Sequence, residues 1–95
     1  MSDLNYEIIF SKKSEMDLIG ILQYTETTFG YLQKEVYQQK FFKAFSNLIK
    51  HPEIGHKNKH LQENLKVLRI EKHYLIYEIN KIEETLNVIR IVHIK

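Results

Sequence analysis

The run Phe41-Phe42-Lys43-Ala44-Phe45-Ser46-Asn47-Leu48-Ile49-Lys50-His51-Pro52-Glu53-Ile54-Gly55 imposes a break near the middle of the chain. Pro52 lacks an amide donor and its ring clashes with the preceding helical turn, so a helix that reaches it must stop. His51 is pushed toward an extended conformation by the proline after it, and Gly55 lets the backbone turn sharply. Upstream, Tyr37, Phe41, Ala44, Phe45 and Leu48 recur at helical spacing. Phe42 and Ile49 widen that apolar face to about 160° at ~100° per residue. The spacing predicts a helix over residues 31–50. Downstream, residues 65–70, 73–79 and 86–94 are rich in Ile, Leu, Val and Tyr and read as three strands joined by short polar connections.

The front of the chain adds a strand and a helix. Residues 4–10 carry the β-branched pair Ile8-Ile9, and Ser11 is placed to cap a helix that follows, with Glu15 near its positive end. Leu18, Ile21, Leu22 and Thr25 then fall at i, i+3, i+4 and i+7, which buries one stripe of a first helix, and Gly30 interrupts it. The expected architecture is α+β in the order β-α-α-β-β-β, a helical hairpin packed on an antiparallel sheet.

Ninety-five residues suit one domain, 1–95, burying about 60 to 65 per cent of its unfolded surface. Without cysteine, neither disulfides nor thiolate zinc sites staple the fold, so stability comes from packing, which fits a cytoplasmic setting. No basic segment precedes a long apolar run, and nowhere do about 18 apolar residues follow one another, so no membrane partner is expected. A formal charge of +2 is too slight for a bulk phosphate grip, which makes direct nucleic-acid binding an unfavoured expectation. Positive charge does cluster at His56-Lys57-Asn58-Lys59-His60, where a solvated loop is the plain alternative. His51, His56 and His60 match no zinc spacing, and no cofactor is implied.

If Glu71-Lys72 forms a two-residue hairpin turn, pairs 69/74 and 67/76 lie opposite each other and share a sheet face. Leu68, Ile70, Leu75, Tyr77 and Ile79, joined by Ile89 and Ile91, then make the more apolar face that packs on the helices. Val67, Arg69, Tyr74, Ile76, Glu78, Val88, Arg90 and Val92 make the other face, whose mixture of apolar area and charge suits a partner. Glu-Lys lacks the glycine or asparagine that such a turn favours, so a longer loop would exchange the faces.

The order of these signals resembles the ParE branch of the RelE/ParE toxin family. Its members have a helix ending in a similar Pro-Glu-Ile-Gly turn, then a Leu-Arg strand, here Leu68-Arg69. An aromatic-aliphatic-Tyr strand follows, here Tyr74-Leu75-Ile76-Tyr77, and a last strand carries Arg-x-x-His, here Arg90-Ile91-Val92-His93. Asp17-Leu18, Ile21, Tyr24-Thr25 and Phe29-Gly30 match the spacing of the family's first helix.

The resemblance implies a toxin of a type II toxin–antitoxin module, neutralised by a ParD-like antitoxin and directed at DNA gyrase by binding rather than catalysis. The surface expected to meet antitoxin or target is Arg69, Tyr74, Ile76, Glu78, Arg90, Val92 and His93, with Phe42 and Ile49 at an adjoining helix margin. The RelE-like branch, which cuts messenger RNA on the ribosome, is the alternative, as is an inert relative that keeps only antitoxin binding. Arg69 matches that branch's strand arginine, but Leu75 and Ile94 stand where it carries arginines, and the sequence reaches Lys95 before the branch's C-terminal tyrosine would be expected. Losing even one phosphate-stabilising donor costs about a hundredfold or more in rate, so these departures favour the ParE-like branch. Arg69 and Arg90 have a duller reading as partners of Glu78 or Glu71, and His93 as a hydrogen-bonded structural histidine.

Overall fold

The computed structural model describes residues 6–94. Strand β1 (Glu7–Phe10) leads into helices α1 (Lys12–Phe29) and α2 (Tyr31–Lys50). A 3₁₀ turn (Pro52–Ile54) follows, then strands β2 (Leu65–Ile70), β3 (His73–Asn80) and β4 (Thr85–His93). This is the expected α+β order, with residues 4–5 of the anticipated first strand lying outside the described ones. Neither helix is long and apolar enough to cross a membrane.

Local chemistry sets each boundary. The Ser11 hydroxyl accepts a hydrogen bond from the Ser14 amide at 3.0 Å and so caps α1. Gly30 ends α1 and begins α2 with φ +96° and ψ 170°, a region essentially confined to glycine. Pro52 opens the 3₁₀ turn where its missing amide costs nothing. That turn is tied to the sheet by the fully buried Tyr77, whose hydroxyl donates to the Pro52 carbonyl at 2.7 Å and accepts from the Gly55 amide at 3.0 Å. A Cβ at Gly55 would lie 2.6 Å from that hydroxyl oxygen, so only glycine lets the two approach.

The strands lie in the order β1-β4-β3-β2. β2–β3 and β3–β4 are antiparallel, whereas β1 runs parallel to β4, which makes the sheet mixed rather than wholly antiparallel. Arg69 pairs with Tyr74 and Val67 with Ile76, the register of a two-residue turn at Glu71-Lys72. Glu71 accepts φ +55° there, and Arg69 Nε donates to its carbonyl at 2.9 Å. That bond offsets part of the cost of a left-handed non-glycine residue.

The expected faces need one correction. Between Ile76 and Tyr77 the partner on β4 jumps from Arg90 to Val88, leaving Ile89 as the extra residue of a bulge. Side-chain alternation is reset across it, so Val88 is fully buried under the helices and Ile89 is 37% exposed, the reverse of the expectation. The core joins Phe41 and Leu48 of α2 to Ile70, Leu75, Tyr77, Leu86, Val88 and Ile91 of the sheet. Both helices lie on this side, and Phe10 of β1 meets Phe45 edge to face at 5.2 Å.

Candidate functional site

Beyond the packed core, the linked ends of α1 and α2 stand over the start of β3 and the end of β4. Between them opens a groove of about 1070 Å³. Met16, Ile21, Tyr24, Phe29 and Tyr37 supply its apolar and aromatic wall, and Gly20 leaves part of α1 bare. Asp17, Lys72, His73, Arg90 and His93 supply its polar groups. The volume is that of a site able to hold several side chains.

The polar groups are largely engaged with one another. β1 ends opposite Val88, and the first turns of α1 take over the exposed edge of β4. Ser14 Oγ donates to the Val88 carbonyl at 3.2 Å and Ser11 Oγ to the Ile89 carbonyl at 2.8 Å. Asp17 completes the series. Its Oδ2 accepts from Arg90 Nε at 2.7 Å and from the Ile91 amide at 2.9 Å, and its Oδ1 accepts from Arg90 Nη2 at 3.0 Å. The Arg90 hydrogen bonds, with smaller help from the Ile91 amide, hold the Asp17 carboxyl below the usual carboxylate range despite some opposition from burial.

His73 is 7% exposed, between Tyr37 and Phe41 of α2 and His93 of β4. The Tyr37 hydroxyl lies 3.4 Å from its Nδ1, and the His93 ring meets it edge-on with centroids 5.0 Å apart. Burial pushes the His73 pKa down, and the neighbouring His93 adds to the effect. No three His, Asp or Glu side chains among the described residues come together to hold a metal.

The residues expected from sequence to form one surface occupy three places. Arg69, Tyr74, Ile76, Glu78 and Val92 alternate onto the face away from the helices, where Glu78 accepts from Asn64 Nδ2 at 2.9 Å. Arg90, opposite Ile76 in register, instead reaches around the strand edge to Asp17 of α1 and the groove. Phe42 and Ile49 do not adjoin that face. Phe42 stacks near Phe45, at 6.4 Å, on the flank of α2 that meets β1, whereas Arg69 meets the opposite flank near Lys43 and Asn47. His93 turns toward the helices and joins the groove. Neither arginine uses the anticipated carboxylates: Arg90 takes Asp17, and Arg69 takes the backbone of Glu71.

Sequence reasoning missed the groove itself. Its signal was faint but present: Met16, Gly20 and Tyr24 are four apart and form a face of α1 beside the half-buried Leu18 stripe.

The geometry can be set beside known proteins. A chain of the chromosomal ParDE toxin–antitoxin system of Pseudomonas aeruginosa superposes with a TM-score of 0.78 at 13% identity, covering 95% of this chain and 97% of that one. A chain of the RelBE2 toxin–antitoxin complex of Mycobacterium tuberculosis superposes with a TM-score of 0.61 at 18% identity, covering 93% and 96%. At such identities these likenesses speak for the fold. No curated protein sequence matches the chain. The family model describing the ParE toxin of the type II toxin–antitoxin system parDE matches residues 8–95. The chain, with its Pro52 turn, bulged last strand and helical hairpin, therefore belongs to the ParE toxin family of type II toxin–antitoxin systems.

Proposed function

We propose that this chain arrests growth in the cytoplasm by occupying a surface of DNA gyrase, without catalysis of its own, and that a ParD-like antitoxin neutralises it by filling the groove under the helical hairpin. The observation that carries this reading is the groove, an open site of about 1070 Å³ with an aromatic and aliphatic wall. Apolar area of that kind favours a protein segment over a small polar substrate. The polar groups around it also fit binding better than phosphoryl chemistry. Arg90 is committed to Asp17, Arg69 Nε to the Glu71 carbonyl, and His73 is buried against Tyr37. The outer sheet face with Arg69, Tyr74, Ile76, Glu78 and Val92 is free of helices and is the surface assigned to the target.

The His73–His93 pair favours a second reading, a ribosome-dependent endoribonuclease, since imidazoles can move protons near neutral pH. Induced expression decides between the two. Accumulating DNA breaks with intact messenger RNA are expected. Cleaved messenger RNA with intact DNA, lost when His73 and His93 are both changed to Gln in a chain that still folds, would overturn the binding reading, because general acid–base groups contribute about 10² to 10⁴-fold.

A further inference from the structure

Gly20 sits inside α1, on the face that lines the groove, and a Cβ placed there would meet nothing within 4 Å. Glycine inside a helix is about 1 kcal/mol worse than alanine, so neither packing nor backbone geometry accounts for it here. Its neighbours one turn away in each direction, Met16 and Tyr24, are 63% and 65% exposed. Two large apolar side chains thus flank a bare stretch of backbone, a seat open toward the groove.

The charges at the site select further. Asp17 is neutralised by Arg90, and Glu71 pairs with Lys40 at 3.5 Å. Lys72 at the rim makes no ion pair among the described residues. His73 and His93 add no negative charge. Among the described residues the groove therefore offers one cation without an ion-pair partner, Lys72, and no carboxylate without one.

We propose that Gly20 is the contact point of the groove: an apolar-faced, acidic segment of the antitoxin crosses α1 there. One bulky side chain of that segment seats over Gly20 between Met16 and Tyr24, and a carboxylate of the same segment meets Lys72. The identity of the occupant rests on the toxin–antitoxin reading above; the shape and charge of the seat do not. Met supplies an adaptable wall and Tyr a rigid one, a pairing suited to gripping an aliphatic or aromatic side chain.

Substitutions at Gly20 separate this from a structural role, because the helix gains propensity whichever residue replaces glycine. The probe is 8-anilinonaphthalene-1-sulfonate, which joins an apolar body to one anion and brightens when shielded from water. The wild-type chain and Gly20→Ala are expected to bind it alike, with Gly20→Ala melting higher. Gly20→Phe is expected to fold and yet to bind at least about tenfold more weakly, and Lys72→Glu to weaken binding most at low salt. A folded Gly20→Phe that binds the dye as the wild type does would overturn the seat. In co-expression with the antitoxin, capture is expected for wild type and Gly20→Ala and lost for Gly20→Phe. Full capture of Gly20→Phe would overturn the proposed occupant while leaving the toxin–antitoxin reading intact. Failure to capture even the wild type would sink that reading, with the dye still deciding the seat.

Discussion

Asp17 closes an edge that the strands leave open. Past Phe10, no strand among the described residues pairs with the β1 edge of β4, and an unpaired Ile91 amide would be costly in a residue only 3% exposed. The carboxylate takes that amide and anchors Arg90 with the same two oxygens, which is why it holds its charge to lower pH than a free aspartate. Its contribution to stability is present above the ordinary carboxylate value and is lost as pH falls through its depressed folded value. His73 acts earlier on the acid side. Its folded pKa lies below the ordinary imidazole value of about 6.5, so the unfolded chain takes up the proton first. Stability from this group is complete above about 6.5 and declines as pH drops toward the folded value. The urea midpoint of the wild type is therefore expected to fall between pH 7.5 and 5.5. His73→Gln should flatten that decline, and Asp17→Asn should be less stable throughout the range while keeping the slope. A His73→Gln chain with the wild-type slope would show that another group titrates on unfolding.

At the scale of elements, two glycines in the helical hairpin should respond oppositely to one substitution. Gly20→Ala relieves a helix interior, whereas Gly30→Ala forces a side chain into φ +96° and ψ 170°, costing about 1 to 3 kcal/mol. Thermal denaturation should show the first variant raised and the second lowered; a Gly30→Ala that melts no earlier would mean the hairpin joint relaxes freely. Tyr77→Phe tests the tie between the Pro52 turn and the sheet. It strands the buried Gly55 amide and the Pro52 carbonyl, a loss of about 1 to 3 kcal/mol, with the aromatic packing kept. Helices were legible in the sequence because each buries one stripe at a single period, and Pro52 and Gly30 punctuate them. The β2–β3 register was legible only on the condition of a two-residue turn, because Glu71-Lys72 lacks the glycine or asparagine that would announce one, and the structure adopts that alternative. The bulge was not, since Leu86-Asn87-Val88-Ile89-Arg90-Ile91 offers apolar residues at both parities. What decides between them is non-local: Val88 must pair beside β1 while Ile91 meets Asp17, and a single alternation cannot satisfy both. Nor did local pattern reveal the parallel β1–β4 pairing, which is a property of how the hairpin returns the chain.

The whole molecule is a layer of helices on one side of a sheet, with extents of 41 × 33 × 21 Å. Its groove exists because two layers diverge, so no run of residues announces it, and Met16 and Tyr24 look like solvent-facing positions until the sheet end is placed beneath them. The same divergence distributes stability unevenly. Leu75, Tyr77 and Val88 of β3 and β4 are fully buried, whereas Phe29, Tyr31, Leu32 and Val36 around the hairpin joint are exposed. Segments that bury little apolar area open locally, at free energies well below that of global unfolding. Amide hydrogen exchange in the free chain should therefore be fast across residues 27–36 and slowest in β3 and β4. Seating of the proposed antitoxin segment in the groove would bury Tyr24 and Phe29 and tie the joint to the sheet end. Exchange across residues 27–36 should then slow by at least about tenfold, the response of a locally opening segment stabilised by a ligand bound to its closed form. Joint amides that exchange in step with β3 in the free chain would show that the hairpin has no independent opening. Slowing confined to β2 and the outer sheet face would place the antitoxin on the surface assigned here to the target.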